Sequence, residues 1–248
     1  MSQDRILDAL EQAKYLTISQ VAELFYAIKR DGQPAKSFRL RPRANSTYEL
    51  IGGYGPAIKI LNRMANDDYK LLSVHKSGNL NKPFLYSLRG DKTPAAWNHV
   101  MDTGDLFVAY FKSGRLIRWA ADWEKEAWNA FARDMRINPD GRLELQGLNQ
   151  VVMFEVDMGT EKPAVLKRKV EKYLRLAQVT TPFVVVFTFQ HNKGRSNLAR
   201  RQAQTMKMLE EFKRGKQFLV ASHDALVEDP FGPHLVTPTG QILSVQDL

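Results

Sequence analysis

The sequence predicts an α/β protein in two parts: a winged helix-turn-helix over residues 1–92 and a mixed-sheet α/β domain over residues 93–248. Three observations carry this. In the first part, apolar residues recur at helical spacing and then give way to two strand-like runs around a polar, basic tip. In the second part, helical patterns alternate with strand-like runs. One of those runs, residues 183–189, is apolar almost throughout, as in a central strand covered on both faces.

The first helix is expected over 5–13, with Ile6, Leu7, Leu10 and Ala13 on its apolar side. Ser19 is placed to cap a short second helix carrying Val21, Ala22 and Phe25. Residues 29–46 hold six Lys and Arg residues and read as a basic loop. A Gly-Gly-Tyr-Gly-Pro turn at 52–56 then opens a helix over 57–64. Runs 69–75 and 84–88 are strand-like, and the polar tip between them carries Lys76 and Lys82. That order matches a winged helix, whose later helix enters the major groove while its wing touches backbone. Lys59, Arg63, Lys76 and Lys82 are therefore the expected DNA contacts of this part.

Asp91-Lys92-Thr93-Pro94 reads as a linker. Beyond it the pattern predicts helices over 95–113, 123–134, 163–178 and 196–213. It predicts strands over 116–120, 142–145, 151–157, 183–189 and 216–221. The last of those helices is strongly basic, and Arg195, Arg200 and Arg201 at its start are expected to hold backbone phosphates.

Charge agrees with a polyanionic partner. Lys plus Arg is 36 against 27 for Asp plus Glu, a net +9 over 248 residues. There are no cysteines, which excludes disulfides and thiolate zinc sites. No apolar run approaches the roughly 18 residues of a membrane span, and the N-terminus lacks the apolar core of a signal peptide. A cytoplasmic protein is the expectation. The five histidines form no His-X-His pair, and neither a phosphate loop nor a nucleophile elbow is present.

The chemistry-bearing candidates lie between residues 138 and 173. Asn138-Pro139-Asp140-Gly141 is a turn ahead of one strand. Glu155 and Asp157 follow on the next, two residues apart and so on one face of an otherwise apolar segment. Paired carboxylates in such a setting are costly unless a positive group sits between them. If the strands pair, Asp140, Glu155 and Asp157 converge as hard oxygen ligands for Mg²⁺ or Mn²⁺. On the following helix, Lys169 and Tyr173 fall on or beside the stripe of Val165, Leu166, Val170, Leu174 and Ala177, whereas Lys167, Arg168 and Lys172 lie to the outside. A lysine there either reaches back to solvent or meets a buried carboxylate. In the second case it could stabilise the charge of a phosphoryl transition state. Tyr173 is open to three roles: nucleophile, proton donor or core.

These residues resemble the plasmid replication-relaxation family, which includes MobC-type mobilisation relaxases. The resemblance rests on the start at 16–22, the wing, Pro139-Asp140, and above all the block from Phe154 to Glu161 followed by Lys169 and Tyr173. It implies a winged helix joined to a restriction-endonuclease-like core that nicks one strand at a plasmid transfer origin, with a divalent metal and an accessory mobilisation or coupling protein. Asp140 and Glu155 match that core's metal-binding carboxylates. The position two after the glutamate, ordinarily lysine, is Asp157, so Lys169 would supply the charge and Asp157 an added ligand. The competing expectation is a DNA-binding regulator or replication initiator whose nuclease-like core no longer cuts. A nuclease toxin or restriction-type defence enzyme is a third.

Overall fold

The computed structural model of the chain describes residues 3–27, 38–42, 48–52, 54–66, 71–77, 83–121, 137–158, 161–180, 182–190 and 198–248. The helix expected over 123–134, most of the basic loop, the tip with Lys82, and Arg195 lie outside these residues. The chain divides into two compact units, residues 1–112 and 113–248.

In the first unit, α1 (Gln3–Ala13) buries Ile6, Ala9, Leu10 and Ala13, a single helical stripe. A two-residue strand, β1 (Leu16–Thr17), leads into α2 (Ile18–Phe25). The cap of α2 is Thr17 rather than the expected Ser19. Gln20 N–H donates to Thr17 Oγ1 at 3.2 Å, while Thr17 N–H donates to Gln20 Oε1 at 2.8 Å. This reciprocal pair satisfies two of the helix's first donors. Strand β2 (Phe38–Pro42), inside the stretch 29–46 expected to be a loop, pairs antiparallel with β3 (Tyr48–Gly52), just beyond it. Then come α3 (Tyr54–Asn66), β4 (Leu72–His75) and β5 (Leu85–Leu88), with β1, β5 and β4 joined in an antiparallel sheet. This sequence of helices and hairpin is compatible with the expected winged arrangement.

The helix α4 (Trp97–Lys112) falls in the first compact unit, residues 1–112. It packs on α2 within the first unit. Gln20, almost fully buried, donates from Nε2 to the Met101 carbonyl at 2.9 Å and to Asp105 Oδ1 at 2.7 Å. Lys112 Nζ pairs with Glu23 Oε1 at 2.7 Å. A buried amide left without those partners would cost about 1–3 kcal/mol, so α4 is held to the N-terminal unit.

The second unit is built on a seven-stranded mixed sheet in the order β12-β11-β10-β9-β8-β7-β6. In chain order its strands are β6 (Leu116–Ala120), β7 (Gly141–Leu145), β8 (Val151–Asp157), β9 (Phe183–Phe189), β10 (Phe218–Ser222), β11 (Leu235–Val236) and β12 (Ile242–Leu243). Strands β8, β9 and β10 run parallel, and the others pair antiparallel. Each parallel step is crossed by one helix: α5 (Pro163–Leu176) from β8 to β9, and α6 (Leu198–Glu211) from β9 to β10. Both helices lie on one face of the sheet, as successive parallel crossovers of one hand require. Their Leu166, Val170, Tyr173, Leu176 and Leu209 pack there with Met153, Val185, Phe187, Phe218 and Val220. On the other face Trp119 stacks on Phe154 with ring centres 5.8 Å apart, in space that Gly141 leaves open. A short α7 (His223–Glu228) follows β10. No helix among the described residues is long and apolar enough to cross a membrane.

Candidate active site

The strand β8 alternates as its pleat requires. Val152, Phe154 and Val156 are buried on one side, and Met153, Glu155 and Asp157 on the side covered by α5 and α6. Asp140, just ahead of β7, is tied to β8 twice. Its N–H donates to the Phe154 carbonyl at 2.9 Å, and its Oδ2 accepts from Val156 N–H at 2.7 Å. These bonds hold the Asp140 carboxylate beside Glu155.

Glu155 is 4% exposed, and both its oxygens are engaged from α5. Lys169 Nζ donates to Oε2 at 2.7 Å, and the Tyr173 hydroxyl donates to Oε1 at 2.5 Å. Lys169 and Tyr173 are four apart and therefore lie on one helical face. The inward lysine thus meets a buried carboxylate. Its ammonium is also 2.7 Å from Glu161 Oε1, in the segment leading into α5. A cavity of about 320 Å³ opens against this group, lined by Asn138, Glu155, Arg168, Lys169, Lys172 and Tyr173 among others.

Electrostatics follow from this packing. Burial, and secondarily the nearby Asp140 charge, push the Glu155 carboxyl up to about 7 against the downward pull of Lys169 and Tyr173. Partial burial acts to lower Lys169, but Glu155, Glu161 and Asp140 outweigh it and the net displacement is upward, so the ammonium stays charged. Burial, then the Glu155 charge, hold the Tyr173 phenol well above its ordinary range.

Four of the expected site residues come together: Asp140, Glu155, Lys169 and Tyr173. Asp157 does not join them. It is nearly buried, and its carboxylate pairs with the Arg201 guanidinium, whose Nε donates to Oδ2 at 2.6 Å. Arg201 Nη2 also donates to the Glu161 carbonyl at 2.7 Å. Arg201 therefore braces the site from within, where a phosphate contact was expected. Tyr173 is 1% exposed and its phenol resists ionisation, so it holds Glu155 and is not presented as a nucleophile. Among the described residues no group of three or more His, Asp or Glu side chains is arranged to hold a metal.

Of the expected DNA contacts, Lys59 and Arg63 are exposed along one side of α3 and Arg200 is exposed on α6. The Lys76 ammonium lies 5.5 Å from the Phe84 ring centre, as a cation–π pair. Three participants were missed. Arg168 and Lys172, read as outward, line the cavity with Lys169. Glu161 was part of the noted block but had no role. The signal for the first two was their i, i+4 spacing around Lys169; for Glu161 there was none.

Residues 76–186 match the model of the replication-relaxation family, somewhat less than half of the chain. The match supports the resemblance at the level of the family and takes in Asp140, Glu155, Glu161, Lys169 and Tyr173, though not Arg201. No curated protein and no solved structure matches the chain.

Proposed function

We propose that this chain is a replication-relaxation protein that binds DNA through a winged helix in its first unit. Its second unit, a restriction-endonuclease-like core, breaks one DNA strand at a plasmid transfer origin. The observation that carries the reading is Glu155: a carboxylate buried in an apolar sheet, beside Asp140 and against Lys169, at a cavity with Arg168 and Lys172 on its wall. Perturbed ionisable groups gathered at a cavity are the mark of a functional site.

Asp140 and Glu155 offer hard carboxylate oxygens, and Mg²⁺ or Mn²⁺ is commonly held by one or two such groups with water and substrate phosphate completing its shell. On this reading Asp140 and Glu155 would hold the ion, and Asp157 would not. When bound, such an ion polarises the phosphodiester and favours attack by water. The chain's own residues do the rest. Arg168 and Lys172 bind phosphates of the strand. The Lys169 ammonium neutralises charge developing on the attacked phosphate. Tyr173 keeps the Glu155 carboxylate turned toward the cavity. A water oxygen bonds to phosphorus and releases a proton to solvent, one bridging P–O ester bond breaks, and the leaving alkoxide takes up a proton from solvent. With Tyr173 enclosed, the break is hydrolytic.

One observation favours a second reading, a DNA-binding regulator or initiator. The charges of Glu155 and Asp157 are already met by Lys169 and Arg201, as a core that has ceased to cut would require. Relaxation of a supercoiled plasmid carrying the protein's neighbouring DNA separates the two. Conversion to open circle with Mn²⁺ or Mg²⁺ by the wild type, and not by Glu155→Gln, is the expected result. Binding without nicking under every metal condition would leave the regulator.

A further inference from the structure

The Lys169 ammonium is shared by two carboxylates at equal distance. Glu155 Oε2 and Glu161 Oε1 each lie 2.7 Å from Nζ. The two acids differ in every other respect. Glu155 is on a central strand and buried. Glu161 is in the segment between β8 and α5, with 29% of its side chain exposed. That segment has its own anchor: Arg201 of α6 joins the Glu161 carbonyl, through Nη2 at 2.7 Å, to the Asp157 carboxylate at the end of β8. The Asp157 side chain is only 3% exposed, so the anchor is a desolvated, charge-assisted bond.

We infer that Glu161 is a positioning residue. Fixed by the Asp157–Arg201 clamp, it holds the Lys169 ammonium at the mouth of the cavity against Glu155. A lysine has four rotatable side-chain bonds and reaches one place reliably only if it is held from more than one side. From Glu155 alone the ammonium can swing about a single partner. With Glu161 opposite, it is fixed between two. Asp157 and Arg201 thereby act on the cavity through the Glu161 backbone, without entering it. This inference deepens the nicking reading and rests on it for its catalytic meaning, but the placement of Lys169 is testable separately.

The test compares the wild type, Glu161→Gln and Arg201→Lys, full length, by acetylation with an N-hydroxysuccinimide ester at pH 9 and peptide mapping. Loss of one of its two anchoring carboxylates leaves the Lys169 ammonium held from one side only, so that it swings into solvent more often. Its labelling should increase about three- to tenfold in Glu161→Gln, as release of a flexible side chain from one of two anchors implies. Lys172, one turn away, serves as the control and should not change. Arg201→Lys, which keeps a charge for Asp157 but gives up the second donor, should shift Lys169 in the same direction by less. Unchanged Lys169 labelling in Glu161→Gln, or an equal rise at Lys172, overturns the inference. In the nicking assay, Glu161→Gln should lower the rate at saturating DNA about ten- to a hundredfold, the scale of a misplaced catalytic group, without raising the DNA concentration needed for half-saturation. An undiminished rate at saturating DNA overturns it as well. If the wild type itself does not nick, the nicking reading falls and the labelling comparison alone decides the placement of Lys169.

Discussion

Glu155→Gln should stabilise the protein at pH 8. The Glu155 carboxyl moves from an ordinary value of 4.5 up to about 7 on folding, because burial and then Asp140 disfavour its charge more than Lys169 and Tyr173 favour it. At 1.36 kcal/mol per unit, that displacement amounts to about 3 kcal/mol. A folded-state value above the unfolded one means that the native protein binds the proton more tightly. The stabilising contribution is therefore complete below about pH 4.5 and is lost as pH rises through about 7. Lys169, also displaced upward, adds no slope here, since it is protonated in both states across pH 5–8. Glutamine imitates the protonated acid: it keeps an acceptor for the Tyr173 hydroxyl and leaves Lys169 with Glu161. Urea unfolding of the wild type and the variant at pH 5 and pH 8, followed by tryptophan fluorescence, measures the difference. The variant should be about 2–3 kcal/mol the more stable at pH 8, and the two should converge toward pH 5. A variant less stable than the wild type at pH 8, with the same pH slope, would show that Lys169 holds an ionised Glu155 at a net gain. The reasoning about desolvation would then be refuted.

Replacing Lys59 and Arg63 together with alanine should weaken duplex binding and reduce the slope of log affinity against log salt by about 2, if each meets one phosphate, as titrations at several salt concentrations would show. His75 is buried, with Nε2 2.8 Å from Ser87 Oγ, and burial lowers its pKa against the upward pull of Asp91. Its contribution is thus present above about 6.5 and lost as pH falls through the lower folded value. Amide protection in β4 and β5, taken relative to the intrinsic exchange rate at each pH, should fall as pH is lowered on the acid side of about 6.5, and His75→Gln should remove that dependence. Gly141→Ala should destabilise the second unit by about 1–3 kcal/mol in urea unfolding, because a Cβ there runs into the Trp119 indole.

The features legible in the sequence were those that one element carries alone. A carboxylate at an inward position of an apolar strand, and a lysine one residue from the Val170 position of a helical stripe, each break a local pattern. Each turned out to be the other's partner. What one element does not carry stayed hidden. The Arg201–Asp157 pair joins residues 44 apart on different elements, so Arg201 read as one more basic side chain of a basic helix. The packing of α4 stayed hidden for the same reason. Residues 91–94 have the look of a linker, and it takes long-range contacts such as Gln20 with Asp105, 85 residues apart, and Glu23 with Lys112 to show that α4 packs backward onto α2. The β2–β3 hairpin had a local signal, since apolar and charged residues alternate from Phe38 to Arg41. The density of arginine obscured it. Strands β11 and β12 are two residues each, too short for any period to register.

The positive charge beside Glu155 is carried by Lys169 of α5 and not by the strand that carries Glu155. A lysine two residues after Glu155 would share its pleat, and its place would be set by the strand alone. Residue 157 instead lies at the end of β8, where its side chain meets Arg201. The charge arrives on α5, so its position relative to Glu155 is set by how that helix docks. Leu166, Val170 and Leu176 fix the docking from the apolar side, and Glu161 with Arg201 fix it at the N-terminal end. Truncating Val170 or Leu166 should therefore disturb the Lys169–Glu155 pair as well as the core. With a strand-borne lysine, the same truncation would affect the core alone. Asp157, through Arg201, ties the segment that leads into α5 to the end of β8.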